Sequence, residues 1–164
     1  FIQSSLYSGI PRTEEAIATA NKVFSTRGIS LIDAPADTRT LAEMDVDGAK
    51  MMEKLHGPRQ SGGYASKDNP VTFSLYEGAI RHGYGQLWMR PGLNLPQRMI
   101  VAIAGFTSAG LHESLAKFAV SALNVGLSKE QVTEAAIQTA PWNGLPIALT
   151  GLTIIGDAFE DAGV

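Results

Sequence analysis

The stretch from Met99 to Gly126 carries two adjacent helical patterns and constrains the fold more than any other part of the chain. Its first part, MIVAIAGFTSAG, is apolar on all sides, as in a helix enclosed by other helices. Its second part repeats apolar residues at helical spacing and ends at Gly126. The apolar positions of this second helix are Leu111, Leu115, Phe118, Ala119, Ala122 and Leu123. We therefore predict a central helix pair on which the other elements pack.

Helical patterns also occupy the rest of the chain, and no segment shows a convincing strand pattern. The predicted helices run from Pro11 to about Arg27, from Leu41 to Leu55, from Pro70 to about Trp88, from Ser128 to before Pro141, and from Pro146 towards the C-terminus. The sequence therefore predicts an all-α protein, a compact helical bundle.

The segments between these helices carry local signals. Asn94 with Gln97, and Ser128 with Gln131, have the spacing of capping boxes, which satisfy backbone N–H groups at a helix start. The Gly/Ser/Pro-rich stretch 57–70 is predicted to be a connecting loop, with a lid as the alternative.

The composition of the 164 residues narrows the class of protein. A hydrophobic content of 45% is enough for the core of one domain. A net charge of -3 without a basic block argues against nucleic acid and membrane surfaces as partners. The absence of cysteine excludes thiolate catalysis and cysteine-ligated zinc. Because no apolar run approaches the roughly 20 residues that cross a bilayer, we expect a soluble, cytoplasmic protein.

Charged residues at two predicted helix starts are candidates for chemistry. His112 and Glu113 lie in the first turn of the amphipathic helix, where free N–H groups and the positive dipole end favour anion binding or proton transfer. Alternatively, Glu113 only complements the dipole and pairs with Lys117, and His112 is a boundary residue. Arg98 lies at the unfavourable end of its helix dipole, so we expect it to have an acidic partner or to bind an anion.

Two further titratable residues lie on the predicted helix before Trp88. Glu77 belongs to a stripe with Tyr76 and Tyr84, and partial desolvation there would suit a general acid or base, although a solvent-facing side chain is the alternative. His82 lies on the other apolar stripe, as a core histidine or as a catalyst. A metal site would use the three histidines, His56, His82 and His112, but no two of them have i, i+3 or i+4 spacing, so we predict no metal site.

The two ends of the chain repeat each other. Residues 6–29 align without gaps on residues 141–164. The identical or similar pairs are Tyr7 and Trp142, Gly9 and Gly144, Pro11 and Pro146, Phe24 and Phe159, and Gly28 and Gly163. We predict an N-terminal arm, residues 1–35, and a helical domain, residues 36–164. The arm is either the remnant of an upstream domain or a segment that docks, for instance in the groove of a neighbouring subunit.

A set of motifs in a fixed order resembles the carboxymuconolactone decarboxylase family, which shares the alkylhydroperoxidase D fold. The motifs are YGQLWMRPGL at 84–93, Arg98 before the apolar helix, ALNVGLS at 122–128 and WNGLP at 142–146. The resemblance covers about residues 71–164. It implies a compact helical domain that forms trimers or hexamers, with an active cavity near subunit contacts.

The chain departs from the reactive residues of this family. Peroxidase members carry a glutamate after the arginine that matches Arg98, then a Cys-x-x-Cys and a histidine. Those places hold Met99, Leu111, Ser114 and Phe118 here. The resemblance therefore implies no thiol peroxidase chemistry. Lactone decarboxylases usually carry a histidine where this chain has Phe118, so we expect a more apolar cavity and a bulkier, polyketide-like or aromatic substrate.

Two functional hypotheses follow. The first is a cofactor-free, metal-free acid/base enzyme that decarboxylates or isomerises a small cyclic oxygenated acid or lactone, as a homo-oligomer. His112 would be the acid or base, with Glu113, Glu77 or His82 as its partner. The substrate-binding candidates are Arg90 or Arg98 for a carboxylate, and Trp88, Tyr84, Phe118 and Trp142 for apolar walls.

The second hypothesis is a noncatalytic ligand-binding or assembly protein on the same scaffold. Convergence of His112, Glu113 and an arginine on a closed pocket would favour the enzyme. An exposed helix start, or one filled by Phe118, would favour the binding protein.

Overall fold

A computed structural model of the chain describes residues 1–30, 35–57 and 69–164, so most of the predicted loop at 57–70 lies outside the described residues. These ranges contain helices and no strand, which confirms the all-α prediction. A 3-10 turn at Ile2–Ser4 comes first, and a π-helix at Ala79–Leu87 follows α4. The α-helices are α1 Ser5–Ser8, α2 Ile10–Thr26, α3 Leu41–His56, α4 Phe73–Gly78, α5 Leu95–Ala109, α6 His112–Asn124, α7 Lys129–Ile137, α8 Ala140–Asn143 and α9 Leu145–Asp161.

The predicted central pair is formed by α5 and α6. Gly110 separates the two helices in a left-handed conformation, with φ 65°, which glycine adopts at no steric cost. Helix α9 packs on α6, and α7 packs on both α5 and α9. The residues of the pair that are almost fully enclosed include Met99, Ala102, Ile103, Leu115, Ala119 and Ala122. The core of the domain therefore lies around this pair.

Two residues of the pair depart from the sequence pattern. Leu111 is 44% exposed because it is the N-cap residue of α6 and lies outside the helix. Ile100 is 39% exposed, so α5 is not enclosed on every side. Both predicted capping boxes are confirmed, at Asn94 and at Ser128, and Thr40 forms a third at the start of α3.

The predicted long helix between Pro70 and Trp88 is wrong in its geometry. The described chain forms the short helix α4 and then a nine-residue π-helix, whose hydrogen bonds join residue i to residue i+5. The wider turns rotate side chains away from the positions that a 3.6-residue period assigns to them. Neither predicted stripe is therefore preserved, and both Glu77 and His82 are exposed.

Helix α3 and the π-helix touch backbone to backbone. A Cβ atom added to Gly48 would lie 2.3 Å from the carbonyl oxygen of Ile80, and one added to Gly85 would lie 2.1 Å from that of Met44. No real Cβ makes such contacts, so glycine is required at both positions. Arg81 adds a two-pronged ion pair to Asp45 across the same contact, and this pair holds the pKa of the Asp45 carboxyl below its usual value.

We predict that Gly48→Ala lowers the free energy of unfolding by about 1–3 kcal/mol or more, because the added methyl group forces α3 away from the π-helix. Chemical denaturation followed by circular dichroism measures this change. The matched control is Gly78→Ala, where nothing lies within 4 Å of the added Cβ. That variant should be as stable as the wild type or more stable by up to about 1 kcal/mol. Equal effects of the two substitutions would contradict the role of this contact.

The repeat at the two chain ends is present in the local structure. In each copy a four-residue helix precedes a glycine with positive φ, 80° at Gly9 and 88° at Gly144. A 17-residue helix with proline in its first turn follows in each copy. The packing of the two copies differs, because α9 lies on α5, α6 and α7, whereas the main contacts of α2 are with α1 and the 3-10 turn.

Candidate functional site

The residues at the start of α6 do not form a closed site in the described part of the chain. His112 and Glu113 are both exposed, and neither side chain makes a hydrogen bond or an ion pair to another described residue. Glu77 and His82 are also exposed, and His82 Nδ1 lies 2.9 Å from Gln86 Oε1. The four predicted acid/base residues are therefore not enclosed by the aromatic side chains that were expected to surround them.

Arg98 is buried and binds neutral oxygens instead of the expected acidic partner. Its guanidinium donates to Gln3 Oε1 at 3.0 Å and to the carbonyl oxygen of Arg90, and no described carboxylate forms an ion pair with it. Burial lowers the pKa of Arg98, and the positive charge of Arg90 lowers it further. In return, Gln3 Nε2 donates to the backbone oxygen of Arg98 at 2.8 Å. Arg98 thus joins the N-terminal arm to α5.

We predict that Gln3→Ala loosens the arm, because it removes these bonds and leaves a buried cation with fewer acceptors. The free energy of unfolding should fall by about 1–3 kcal/mol, and the amides of residues 2–8 should exchange faster with solvent. The matched control is Ser5→Ala, which removes an exposed hydrogen bond to the Ile2 carbonyl of the same turn. Unchanged exchange in Gln3→Ala would contradict the anchoring role.

An aromatic cluster lies beneath α6 with Phe118 at its centre. The Phe118 ring centroid is 4.7 Å from that of Phe106 and 6.0 Å from that of Trp88. Tyr84 stacks on Trp88 at 6.3 Å. Three predicted wall residues, Trp88, Tyr84 and Phe118, therefore lie together. A buried aromatic group of this kind can enclose the apolar body of a small ligand.

His56, a residue that the sequence analysis did not assign to the site, lies inside this cluster. Only 1% of its surface is exposed, and its ring packs edge-on against Phe118 with centroids 4.6 Å apart. Nε2 lies 2.8 Å from the Tyr84 hydroxyl, and Nδ1 lies 2.7 Å from Ser121 Oγ. The cluster thus contains an imidazole next to Phe118, although it comes from α3 and not from α6.

The directions of these hydrogen bonds follow from Ser121. Its single hydroxyl proton is donated to the carbonyl oxygen of Lys117 at 2.9 Å, so Ser121 Oγ can only accept from His56. A neutral His56 therefore carries its proton on Nδ1, and its Nε2 then accepts the proton of the Tyr84 hydroxyl. A second contact holds this end of α3, because Asn124 donates to the Leu55 carbonyl at 2.9 Å. The arrangement is a directional chain, Tyr84 to His56 to Ser121, which can relay a proton.

Sequence reasoning missed His56 because its partners lie far away along the chain, Tyr84 by 28 residues and Ser121 by 65. The local signal indicated only a basic residue in the last turn of a helix, where it complements the dipole. The one usable clue is its place beside Leu55 at the end of an apolar stripe.

Trp142 does not join the aromatic cluster. It is 86% exposed and lines an open groove of about 920 Å³ between α5 and α7. The groove is also lined by Ile100, Ala104, Glu134 and Gln138. None of the residues around Phe118 contributes to it, so the described chain separates this predicted wall residue from the other three.

Within residues 1–30, 35–57 and 69–164, no three His, Asp or Glu side chains are grouped closely enough to hold a metal ion. In the same ranges no helix combines the length and the apolar character that crossing a membrane requires.

The fold and site define an all-α domain built on a central helix pair, with an aromatic cluster beneath the second helix. Residues 74–156, half of the chain, match the model of the carboxymuconolactone decarboxylase family, and the chain belongs to that family. The resemblance seen in the motifs is thereby confirmed. A relative, the 4-carboxymuconolactone decarboxylase of Acinetobacter baylyi, is 27% identical over 84 residues, which cover 51% of this chain and 63% of that protein.

Proposed function

We propose that the protein is an acid/base enzyme of the lyase or isomerase type that acts on a small cyclic oxygenated acid or lactone. The observation that carries the proposal is the hydrogen-bonded chain of Tyr84, His56 and Ser121 inside the aromatic cluster. Family membership and the name of the Acinetobacter relative support the same class of reaction. The proposal places proton transfer at this chain and not at His112.

Each residue of the chain has its own role. Tyr84 is half-buried, whereas His56 and Ser121 are almost fully enclosed, so the Tyr84 hydroxyl is the end that touches substrate. His56 accepts the Tyr84 proton at Nε2. Ser121 fixes the tautomer, because its hydroxyl accepts from Nδ1 and Nε2 then exchanges a proton with Tyr84.

In an isomerisation, the Tyr84 oxygen takes a proton from a carbon beside the substrate carbonyl, while its own proton passes to Nε2 of His56. The C–H electron pair moves into the carbonyl group, which becomes an enolate, and His56 becomes an imidazolium. Transfer in the opposite direction returns a proton through Tyr84 to a different carbon. The substrate keeps its composition, and His56 becomes neutral again.

In a decarboxylation, the bond between the substrate carbon and its carboxylate breaks, and carbon dioxide leaves. The bonding electrons form an enolate, to which Tyr84 delivers its hydroxyl proton. One proton from solvent is then taken up at Nε2 of His56 and passed to the Tyr84 oxygen, which restores the neutral chain. Both reactions therefore use the same chain and differ only in the bond that breaks.

The surroundings of the chain favour an apolar substrate with one anionic group. Phe118 and Trp88 present rings where a polar side chain would accommodate a more polar substrate. Arg98 is already bound to Gln3, so Arg90, two residues after Trp88 and half-buried, is the arginine that we propose holds a carboxylate. These features support a bulkier cyclic, aromatic or polyketide-like acid.

A noncatalytic ligand-binding protein is the second candidate. The exposed position of His112 and Glu113 favours it, because no closed pocket forms at the start of α6 in the described residues. Such a protein would bind the same class of ligand in the aromatic cluster without turnover.

We predict that Tyr84→Phe lowers kcat by about 10²–10⁴-fold, because the acid/base hydroxyl is lost while the ring remains. Carbon dioxide release and solvent deuterium incorporation should be measured with 4-carboxymuconolactone and with larger cyclic lactones and β-keto acids. The matched control is Tyr76→Phe, whose hydroxyl contacts Met52 Sδ in the same part of the chain. It should keep wild-type kcat, as should His112→Ala.

Three outcomes separate the hypotheses. Binding of the probes by the wild type without turnover would support the noncatalytic protein. Loss of turnover in His112→Ala, with Tyr84→Phe unaffected, would return catalysis to the start of α6. Equal losses in Tyr84→Phe and Tyr76→Phe would point to a structural effect and contradict the assignment of Tyr84.

A further inference from the structure

Helix α2 and helix α9 are copies with different surroundings. The positions that α9 buries against its own domain are Ala148, Gly151, Ile155 and Phe159. The positions of α2 that align with them are Thr13, Ala16, Ala20 and Phe24, and they also share one face of their helix. Only Thr13 of this set is buried, because the main contacts of α2 are with its own arm. The aligned face of α2 is therefore incompletely covered.

For the short helices the difference is reversed, because the N-terminal copy is packed and the C-terminal copy is exposed. Tyr7 of α1 packs on α5, with its ring 4.7 Å from that of Phe106, and a Cβ on Gly105 would lie 2.5 Å from Tyr7 Cδ2. Trp142, which occupies the same place in α8, is 86% exposed. In the N-terminal copy the short helix is bound, and the aligned face of the long helix is only partly covered, with Ala16, Ala20 and Phe24 half-buried. In the C-terminal copy the long helix is bound and Trp142 of the short helix is exposed.

We propose that α1 and α2 are the terminal helices of a second domain of this same kind, and that this domain packs against α2. Its equivalents of α5, α6 and α7 cover the open face of α2, as α5, α6 and α7 cover α9 here. Helix α1 then joins the two domains, because it belongs to one and binds α5 of the other. Because Trp142 aligns with Tyr7, it binds the second domain as Tyr7 binds α5, at the residues of that domain that correspond to Gly105 and Phe106.

The proposal commits to a domain that lacks terminal helices of its own. In a second copy of the whole chain, α9 already fills the place that α2 would occupy, and Tyr7 already fills the place that Trp142 would occupy. A plain pair of identical chains therefore satisfies neither surface. A related domain that precedes α1 in one polypeptide, with α2 as its last helix, satisfies both.

The test is a fusion protein in which residues 36–139 are joined directly to residue 5 of the chain. Because Ser5 aligns with Ala140, the added copy receives α1 and α2 in place of α8 and α9. Hydrogen exchange of the α2 amides is then compared between the chain alone and the fusion. We expect fast exchange of α2 in the chain alone and exchange at least about tenfold slower in the fusion, near that of α9.

One difference between the copies needs its own variant. Ala20 aligns with Ile155, which is 2% exposed, so the added copy would have a cavity at that position. The fusion is therefore also made with Ala20→Ile, which restores the lost volume. Fast exchange of α2 in both fusions would overturn the proposal.

Two adjacent residues provide a matched pair in the fusion. Phe24→Asp introduces a charge on the aligned face and should restore fast exchange, whereas Ser25→Asp, whose counterpart Glu160 is exposed, should not. In the chain alone, slow exchange of α2 together with sedimentation as a dimer, trimer or hexamer would also contradict the proposal, because another identical chain would then cover the helix. Emission of Trp142 should shift to shorter wavelength in the fusion, since the indole leaves water.

Discussion

The backbone contact between α3 and the π-helix is the constraint on which the site depends. Gly48 and Gly85 leave no room for a side chain, and this closeness sets the axis of α3. With α3 in this orientation, His56 lies beneath α6, within hydrogen-bond distance of Tyr84 on the π-helix and of Ser121 on α6. Three separate helices thus meet at one imidazole because two of them touch without side chains between them.

The buried polar groups of this core need hydrogen-bond partners. No buried side-chain nitrogen or oxygen atom in the described residues lacks a hydrogen-bond partner. In an apolar surrounding, an unpaired group costs more than in water, so each partner is held in place by the others. The same rule applies to Arg98, whose buried charge is accepted by Gln3 and a backbone carbonyl. The position of the N-terminal arm is therefore linked to the satisfaction of a buried cation.

The two copies of the terminal unit show that local structure and packing are separate properties. Glycine at positive φ and proline in the first helical turn produce the same short helix, turn and long helix in both places. What each copy packs on differs, since α9 packs on the central pair, whereas the main contacts of α2 are with α1 and the 3-10 turn. The same local sequence pattern can therefore occur twice within one chain and produce the same helices, which then pack on different neighbours.

The sequence by itself determined the all-α class, the central helix pair and two capping boxes, because these depend on residues within a few positions of each other. It also determined the terminal repeat and the family, because these are read by matching residues along the chain and need no contact between them. The sequence also singled out Tyr84 and Trp88 by their motif and Phe118 by its departure from the family pattern, and the structure places these three rings together. The tertiary structure alone decided that His56 joins them, since its partners lie 28 and 65 residues away. It also decided that Glu77 and His82 face solvent. Glu77 lies in the short helix α4, where Phe73 and Leu75 are exposed as well, and His82 lies in the π-helix, which changes the period on which the predicted stripe rested. Helical periodicity describes one helix at a time, whereas a site is made where several helices touch.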